Sequence, residues 1–310
     1  MNYRVAQWWG WKDRAYIEDT MQRFRDGFFP IDAVIIDFEW FTNETDYDYP
    51  PDTGKSYYED FGFNEVLFPE PQYQLSDYND RFHIKVAGIR KPRIGNTATI
   101  ADARKKGWLL KNCEPGGGYP PIAPGYACGR GLNYSLPEVR DWYADQLQPL
   151  LDAGMAFWWN DEGESDYFTF HYWNEAQRQA LQKWQLSERF FSVNRAFSPG
   201  MARLGATVWT GDVFANWATL EGTPGTMLKW ILAGAPYVSC DSGGDTLAVG
   251  SVAAAAGNAN GSRLMLALQL ACAVFPAIRF WACLAYNAQD ESAAVCTVIR
   301  VLAAHNQDAS

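Results

Sequence analysis

A repeated alternation of short apolar runs with segments of helical period does most to narrow what this chain can fold into. Residues 4–9 read as a strand, and residues 15–24 as a helix with Ile17, Met21 and Phe24 on one face. Residues 31–38 form a nearly continuous β-rich run, the pattern of a parallel strand buried on both faces. Further strands are expected at 82–89, 155–160, 190–194, 206–210, 237–240 and 276–280. Helical patterns fall at 135–152, 171–185, 223–233, 264–274 and 293–304, the first opened by Ser135 and Glu138 at capping-box spacing. Strand–helix alternation implies a parallel sheet, and eight strands imply an α/β fold of the (β/α)8 TIM-barrel type. A doubly wound open sheet is the alternative, but no G-x-G-x-x-G follows the first strand.

The chain has 310 residues, and a barrel of this kind takes about 250, so one barrel with elaborated loops fits. The Gly/Pro-rich stretch 93–133 reads as a long functional loop. Residues 248–260 read as a low-complexity loop. A net charge of −10 argues against nucleic acid, whose binding needs clustered Lys and Arg. No apolar run is long enough to span a membrane. The first residues lack the pattern of a secretory leader, so a cytoplasmic location is expected, or an extracellular one if the chain is a fragment. The six cysteines are scattered with no C-x-x-C pair, which reads as buried thiols rather than a zinc site. No metal or cofactor is expected. Aromatic residues make up 15% of the chain, including 14 Trp. Most fill the core, but several stand beside carboxylates at strand ends, where an aromatic face suits a sugar ring.

In such barrels the chemistry sits at the C-terminal ends of the strands. The charged residues that follow apolar runs are Asp37 and Glu39, Lys91 and Arg93, Asp161, Glu162 and Glu164, Arg195, Asp212, and Asp241. Glycoside hydrolysis needs two carboxyl groups across the scissile bond. Asp161 follows the aromatic strand Phe157-Trp158-Trp159-Asn160, and Asp212 follows Val208-Trp209-Thr210-Gly211 two strands later.

These segments resemble the catalytic domain of glycoside hydrolase family 31, the α-glucosidase and α-xylosidase family, up to about residue 244. Ile36-Asp37-Phe38-Glu39-Trp40 resembles its second-strand signature, which implies that Asp37 binds the sugar. Trp159-Asn160-Asp161-Glu162-Gly163-Glu164 resembles its W-x-D-x-x-E segment, which implies that Asp161 is the nucleophile. Asn194-Arg195-Ala196-Phe197 resembles the segment with a substrate-binding Arg. Trp209-Thr210-Gly211-Asp212 resembles W-x-G-D, which implies that Asp212 is the acid/base. Asp241-Ser242-Gly243-Gly244 resembles D-x-G-G. The sequence departs from the family at Asp245, where an aromatic residue is usual, and at Arg279-Phe280-Trp281, where the family has R-x-H. The family's flanking β-sandwich domains are not expected within residues 1–310, which read as one catalytic barrel.

The resemblance implies a retaining α-glycoside hydrolase acting on α-linked gluco-oligosaccharides, with Asp37, Trp159, Glu164, Arg195, Trp209 and Asp241 binding substrate. Transglycosylation stays open, as do a catalytically dead carbohydrate-binding barrel and a metal-dependent barrel using Asp37, Glu39 and Asp161. Glu164 is expected to support the nucleophile by hydrogen bonding, and Glu162 to be either solvated or functional. Trp8, Trp9 and Trp11 read as core or as walls of the plus subsites, His171 as a cap or core residue, and His83 as a structural strand residue.

Overall fold

A computed structural model of the chain describes residues 4–8, 11–28, 31–41, 56–110, 129–164, 167–184, 189–213, 217–242, 280–281, 283–286 and 300–301. The strands are β1 (Arg4–Trp8), β2 (Ala33–Ile36), β3 (Lys85–Arg90), β4 (Met155–Asn160), β5 (Ser192–Asn194), β6 (Ala206–Trp209), β7 (Val238–Ser242), β8 (Phe280–Trp281), β9 (Cys283–Tyr286) and β10 (Arg300–Val301). The helices are α1 (Arg14–Asp26), α2 (Pro71–Phe82), α3 (Thr97–Lys105), α4 (Pro137–Gln146), α5 (Gln148–Asp152), α6 (Thr169–Trp184) and α7 (Trp217–Leu232). Strands β1 to β7 and then β9 follow one another in the sheet, and β9 returns to β1 in parallel register. This is the strand order of a (β/α)8 barrel, as expected from the alternation.

Two compact units make up the chain. Met1–Asp37, Asp77–Ala87 and Thr207–Ser310 form the first, and Phe38–Ser76 and Gly88–Ala206 the second. In the first unit Asp13 caps α1 by accepting from the Tyr16 N–H at 2.8 Å. Ile17, Thr20, Met21 and Phe24 then recur at helical spacing and are buried. Trp11 lies in the core and donates its indole N–H to the Ile35 carbonyl at 2.7 Å.

In the second unit α6 buries Phe170, Trp173, Asn174, Gln177, Ala180 and Leu181 along one stripe. Gly88 leaves room for the Trp40 indole, since a Cβ there would stand 2.6 Å from the ring. The Arg90 guanidinium is buried among the rings of Trp40, Phe41, Phe61, Tyr143 and Trp158, each within 5.8 Å. That aromatic cage, with an Nε bond to the Tyr143 hydroxyl at 3.2 Å, compensates the charge for lost water.

Several expectations are corrected. The stretch 93–133 is not all loop: Asn96 caps α3 by accepting from the Thr99 N–H, and residues 111–128 lie outside the described residues. The capping box does not form. Ser135 donates its hydroxyl to Asn133 instead, and α4 starts behind Leu136 with Pro137 in its first turn, a position where the missing N–H costs nothing. Pro149, which lacks a donor, separates α5 from α4. His83 is not a strand residue but an exposed turn residue between α2 and β3, with φ +53°. Cys240 is buried and disulfide-bonded, not a thiol. The eighth barrel strand is β9 rather than 276–280, and Arg300–Val301, expected in a helix, pairs antiparallel with Phe280–Trp281. The low-complexity segment 248–260 and the expected helix 264–274 lie outside the described residues.

Candidate active site

Strand parity decides which side chains can meet in the second unit, because alternate residues point to opposite faces. Arg90, Asn160 and Asn194 point toward the helices. Arg90 reaches Tyr143 of α4, Asn160 bonds Gln177 of α6, and Asn194 bonds Asn174 of α6. The next residue of each strand end, Lys91, Asp161 and Arg195, falls on the opposite, inner side. The backbone keeps them level, with Asp161 N–H on the Arg90 carbonyl and Arg195 N–H on the Asn160 carbonyl, both at 3.1 Å.

The result is an unbroken chain of alternating charges. Arg93 bonds Glu162. Glu162 also accepts from Lys91 at 3.0 Å, and Lys91 bonds Oδ2 of Asp161. Oδ1 of Asp161 accepts from Arg195 Nη1 at 3.0 Å and from the Glu162 N–H at 2.9 Å. Arg195 Nε then reaches Glu164 at 3.0 Å. The Lys91 ammonium also lies 4.5 Å from the centre of the Phe38 ring. Glu162 takes up a left-handed backbone, φ +58°, a strained conformation for a side-chain-bearing residue and one concentrated at functional sites.

Burial by itself would raise the Glu162 carboxyl, but the Lys91 and Arg93 cations overcome it and hold it well below the ordinary range. Burial likewise would lower Lys91, and the Asp161 and Glu162 charges instead keep its ammonium above its usual value. Glu164 is raised by burial, with Arg195 opposing. Asp60, buried behind the cluster, is pushed up to about 6 by desolvation against the pull of Arg90, while accepting the Gly95 and Asn96 N–H groups.

Behind Asp161 and Arg195 lies a buried amide network. Asn160 and Gln177 exchange two bonds at 2.8 and 2.7 Å. Asn194 accepts from Asn160 at 2.9 Å and Asn174 at 2.7 Å, and donates to Ser192. It fixes β4, β5 and α6 together. Asn194→Ala strands two amide donors away from water, and is expected to cost about 2 kcal/mol. Urea unfolding checks this, and an unchanged midpoint would mean that the network contributes nothing to stability.

The other expected residues are placed as follows. Trp159 is buried on β4 with the parity of Asp161, opposite to Asn160. Asp37 directly follows β2 and is fully buried; Glu39 stands in the short 3-10 turn Phe38–Trp40. Trp209 is buried at the end of β6, and Asp212 is exposed three residues beyond it. Asp241 lies within β7, its backbone opposite Leu284 of β9. Asp245 and Arg279 lie outside the described residues. Asp161, Glu164 and Arg195 are brought together in the second unit, whereas Asp37, Trp209, Asp212 and Asp241 belong to the first. Glu162, expected to be solvated or functional, is ion-paired. Sequence reading marked Lys91 and Arg93 only as strand-end charges, and their pairing with the segment after β4 depends on tertiary register. His171 lies on α6, 3.3 Å from Glu175. Among the described residues no group of three His, Cys, Asp or Glu is placed to hold a metal, and no helix is long and apolar enough to cross a membrane.

The chain matches the Glycosyl hydrolases family 31 TIM-barrel domain over residues 1–256. It is 26% identical over 273 residues to neutral alpha-glucosidase AB of Dictyostelium discoideum, covering 76% of this chain and 27% of that protein. To an alpha-xylosidase of Saccharolobus solfataricus it is 22% identical over 264 residues, covering 76% and 32%. Among solved structures it resembles a GH31 dextranase of Flavobacterium johnsoniae complexed with glucose, with TM-score 0.71 and 17% identity over 93% of this chain and 36% of that one. The chain thus spans about a third or less of the curated relatives it matches.

Proposed function

The chain belongs to glycoside hydrolase family 31, and from that premise we propose that it hydrolyses α-glucosidic bonds with retention, using Asp161 as nucleophile and Asp212 as acid/base. The observation that carries this reading is the state of Asp161: a buried carboxylate at a strand end with a cation on each oxygen. A nucleophile needs an oriented carboxylate, and two fixed donors supply the orientation. Asp161 attacks the anomeric carbon from the β face; the bond to the leaving oxygen breaks as that oxygen takes a proton from Asp212. Asp212 then deprotonates water, which displaces Asp161 from the β-glycosyl ester. The exposed position of Asp212 after β6 suits a group that serves a departing sugar and an arriving water in turn. Arg195 and Asp37 are assigned to sugar hydroxyls, and Trp159 and Trp209 to the apolar faces of the ring. Glu164 steadies Arg195, and Asp241, in β7, is also assigned to substrate binding.

Relatives include both α-glucosidases and an alpha-xylosidase, so sugar choice is tested directly. With p-nitrophenyl α-glucoside, α-xyloside and α-galactoside, the expected result is turnover of the α-glucoside, abolished in Asp161→Ala. Equal inactivity of both proteins on all three sugars would remove the reading.

A further inference from the structure

Lys91 is a buried lysine with two carboxylates, and family resemblance assigned it no role. Its ammonium bonds Oδ2 of Asp161 and Oε1 of Glu162, with the Phe38 ring on another side. Both ends of the arrangement are anchored elsewhere: Glu162 is also held by Arg93, and Arg195 by Glu164. Two consequences follow. First, the Asp161 carboxylate cannot turn about its own axis without giving up Lys91 on one oxygen or Arg195 on the other. Secondly, three cations face three carboxylates along the chain. If Asp161 loses its charge by esterification, Lys91 keeps Glu162 and Arg195 keeps Glu164, so neither cation is left unpaired in a buried site.

We propose that Lys91 is a positioning residue for Asp161: it fixes the carboxylate for attack, and Glu162 retains it while the ester exists. The proposal rests on the reading of Asp161 as nucleophile for its kinetic part, but not for its geometric part. The left-handed backbone of Glu162 fits this role, since its side chain reaches back to Lys91 and Arg93 while its N–H serves Asp161 Oδ1.

Lys91→Met keeps the apolar stem and removes the ammonium. In the full chain, its crystal structure is expected to show the Asp161 carboxylate rotated, with Oδ2 displaced from its present position while Oδ1 keeps Arg195. The kcat on p-nitrophenyl α-glucoside is expected to fall roughly 10²-fold, the cost of a displacement of about 1 Å at a reacting group, while KM changes less than about threefold. Lys91→Cys treated with 2-bromoethylamine restores an ammonium at nearly the same reach, and should recover most of kcat against a parent treated identically. A role in stability alone would lower the melting point without moving Asp161. If Lys91→Met does not fold, Lys91→Arg retains the buried charge and still tests the proposal. A planar guanidinium cannot bond both carboxylates in the ammonium's geometry, so kcat should fall at least about tenfold. An Asp161 carboxylate left in place, or an unchanged kcat in a folded variant, overturns the proposal. If parental activity proves indifferent to Asp161→Asn, the assignment of the nucleophile fails instead, while the crystal structure of Lys91→Met still decides whether Lys91 orients that carboxylate.

Discussion

Asp161→Ala is expected to lower kcat/KM on an α-glucoside by on the order of 10⁴-fold or more, the scale of loss when a covalent-catalysis residue is removed. Neither Glu162 nor Glu164 can replace it. Glu162 is turned onto Lys91 and Arg93, and Glu164 is held by Arg195. The substitution also removes the hydrogen bonds of Lys91 and Arg195 to that carboxylate, although each cation keeps a second one, Glu162 and Glu164. A stability loss of about 2 kcal/mol is therefore expected alongside, and Asp161→Asn, which keeps the volume, shows how much of the loss comes from the cavity. Azide tests the role itself. Without the Asp161 side chain, azide enters from the face it vacated, so an activated α-glucosyl fluoride should give the β-glucosyl azide. Recovery without azide, or an α product, would mean that Asp161 is not the attacking group.

Asp212→Ala is expected to have the second largest effect, and one that depends on the leaving group. For disaccharides, whose leaving oxygen needs a proton, kcat/KM should fall about 10²–10⁴-fold, the usual contribution of general acid catalysis. For α-glucosyl fluoride, which departs with little protonation, the fall should be much smaller, and deglycosylation should then limit turnover. Here azide attacks the β-glycosyl ester from the opposite face, so it should raise the rate and yield the α-glucosyl azide. A uniform loss on both substrates, or a β azide, would show that Asp212 does not donate the proton. The two variants thus give azides of opposite configuration, which no general damage to the fold would produce.

Residues whose role follows from local pattern were the ones legible in the sequence. The aromatic run of β4 announced a buried strand, and parity alone then placed Trp159 and Asp161 on one side. Glu164 was expected to support Asp161 by hydrogen bonding; it pairs instead with Arg195, which in turn bonds Asp161. Lys91 and Arg93 were visible only as charges after β3, because their partners stand 70 and 69 residues further on, and only the register of β3 against β4 brings them together. Local chemistry also misled where two signals competed. Ser135 and Glu138 had the spacing of a capping box, yet the neighbouring Asn133 took the Ser135 hydroxyl and Pro137 set the helix start. Composition hid α3, since Gly and Pro dominate residues 93–133 while Asn96 quietly supplies a cap. Cys240 shows the same limit. Six scattered cysteines give no pairing from sequence, because pairing is decided by which strands become neighbours.

As nucleophile, Asp161 is expected to form a covalent bond to the sugar during turnover. The most direct test is to trap that bond. A 5-fluoro-α-glucosyl fluoride forms the glycosyl ester quickly and releases it slowly, so the intact protein should gain one fluoroglucosyl group. Peptide mapping should then place that group on Asp161, in the segment that follows β4. A label on another carboxylate, or no label together with a product of inverted configuration, would show that Asp161 is not the nucleophile.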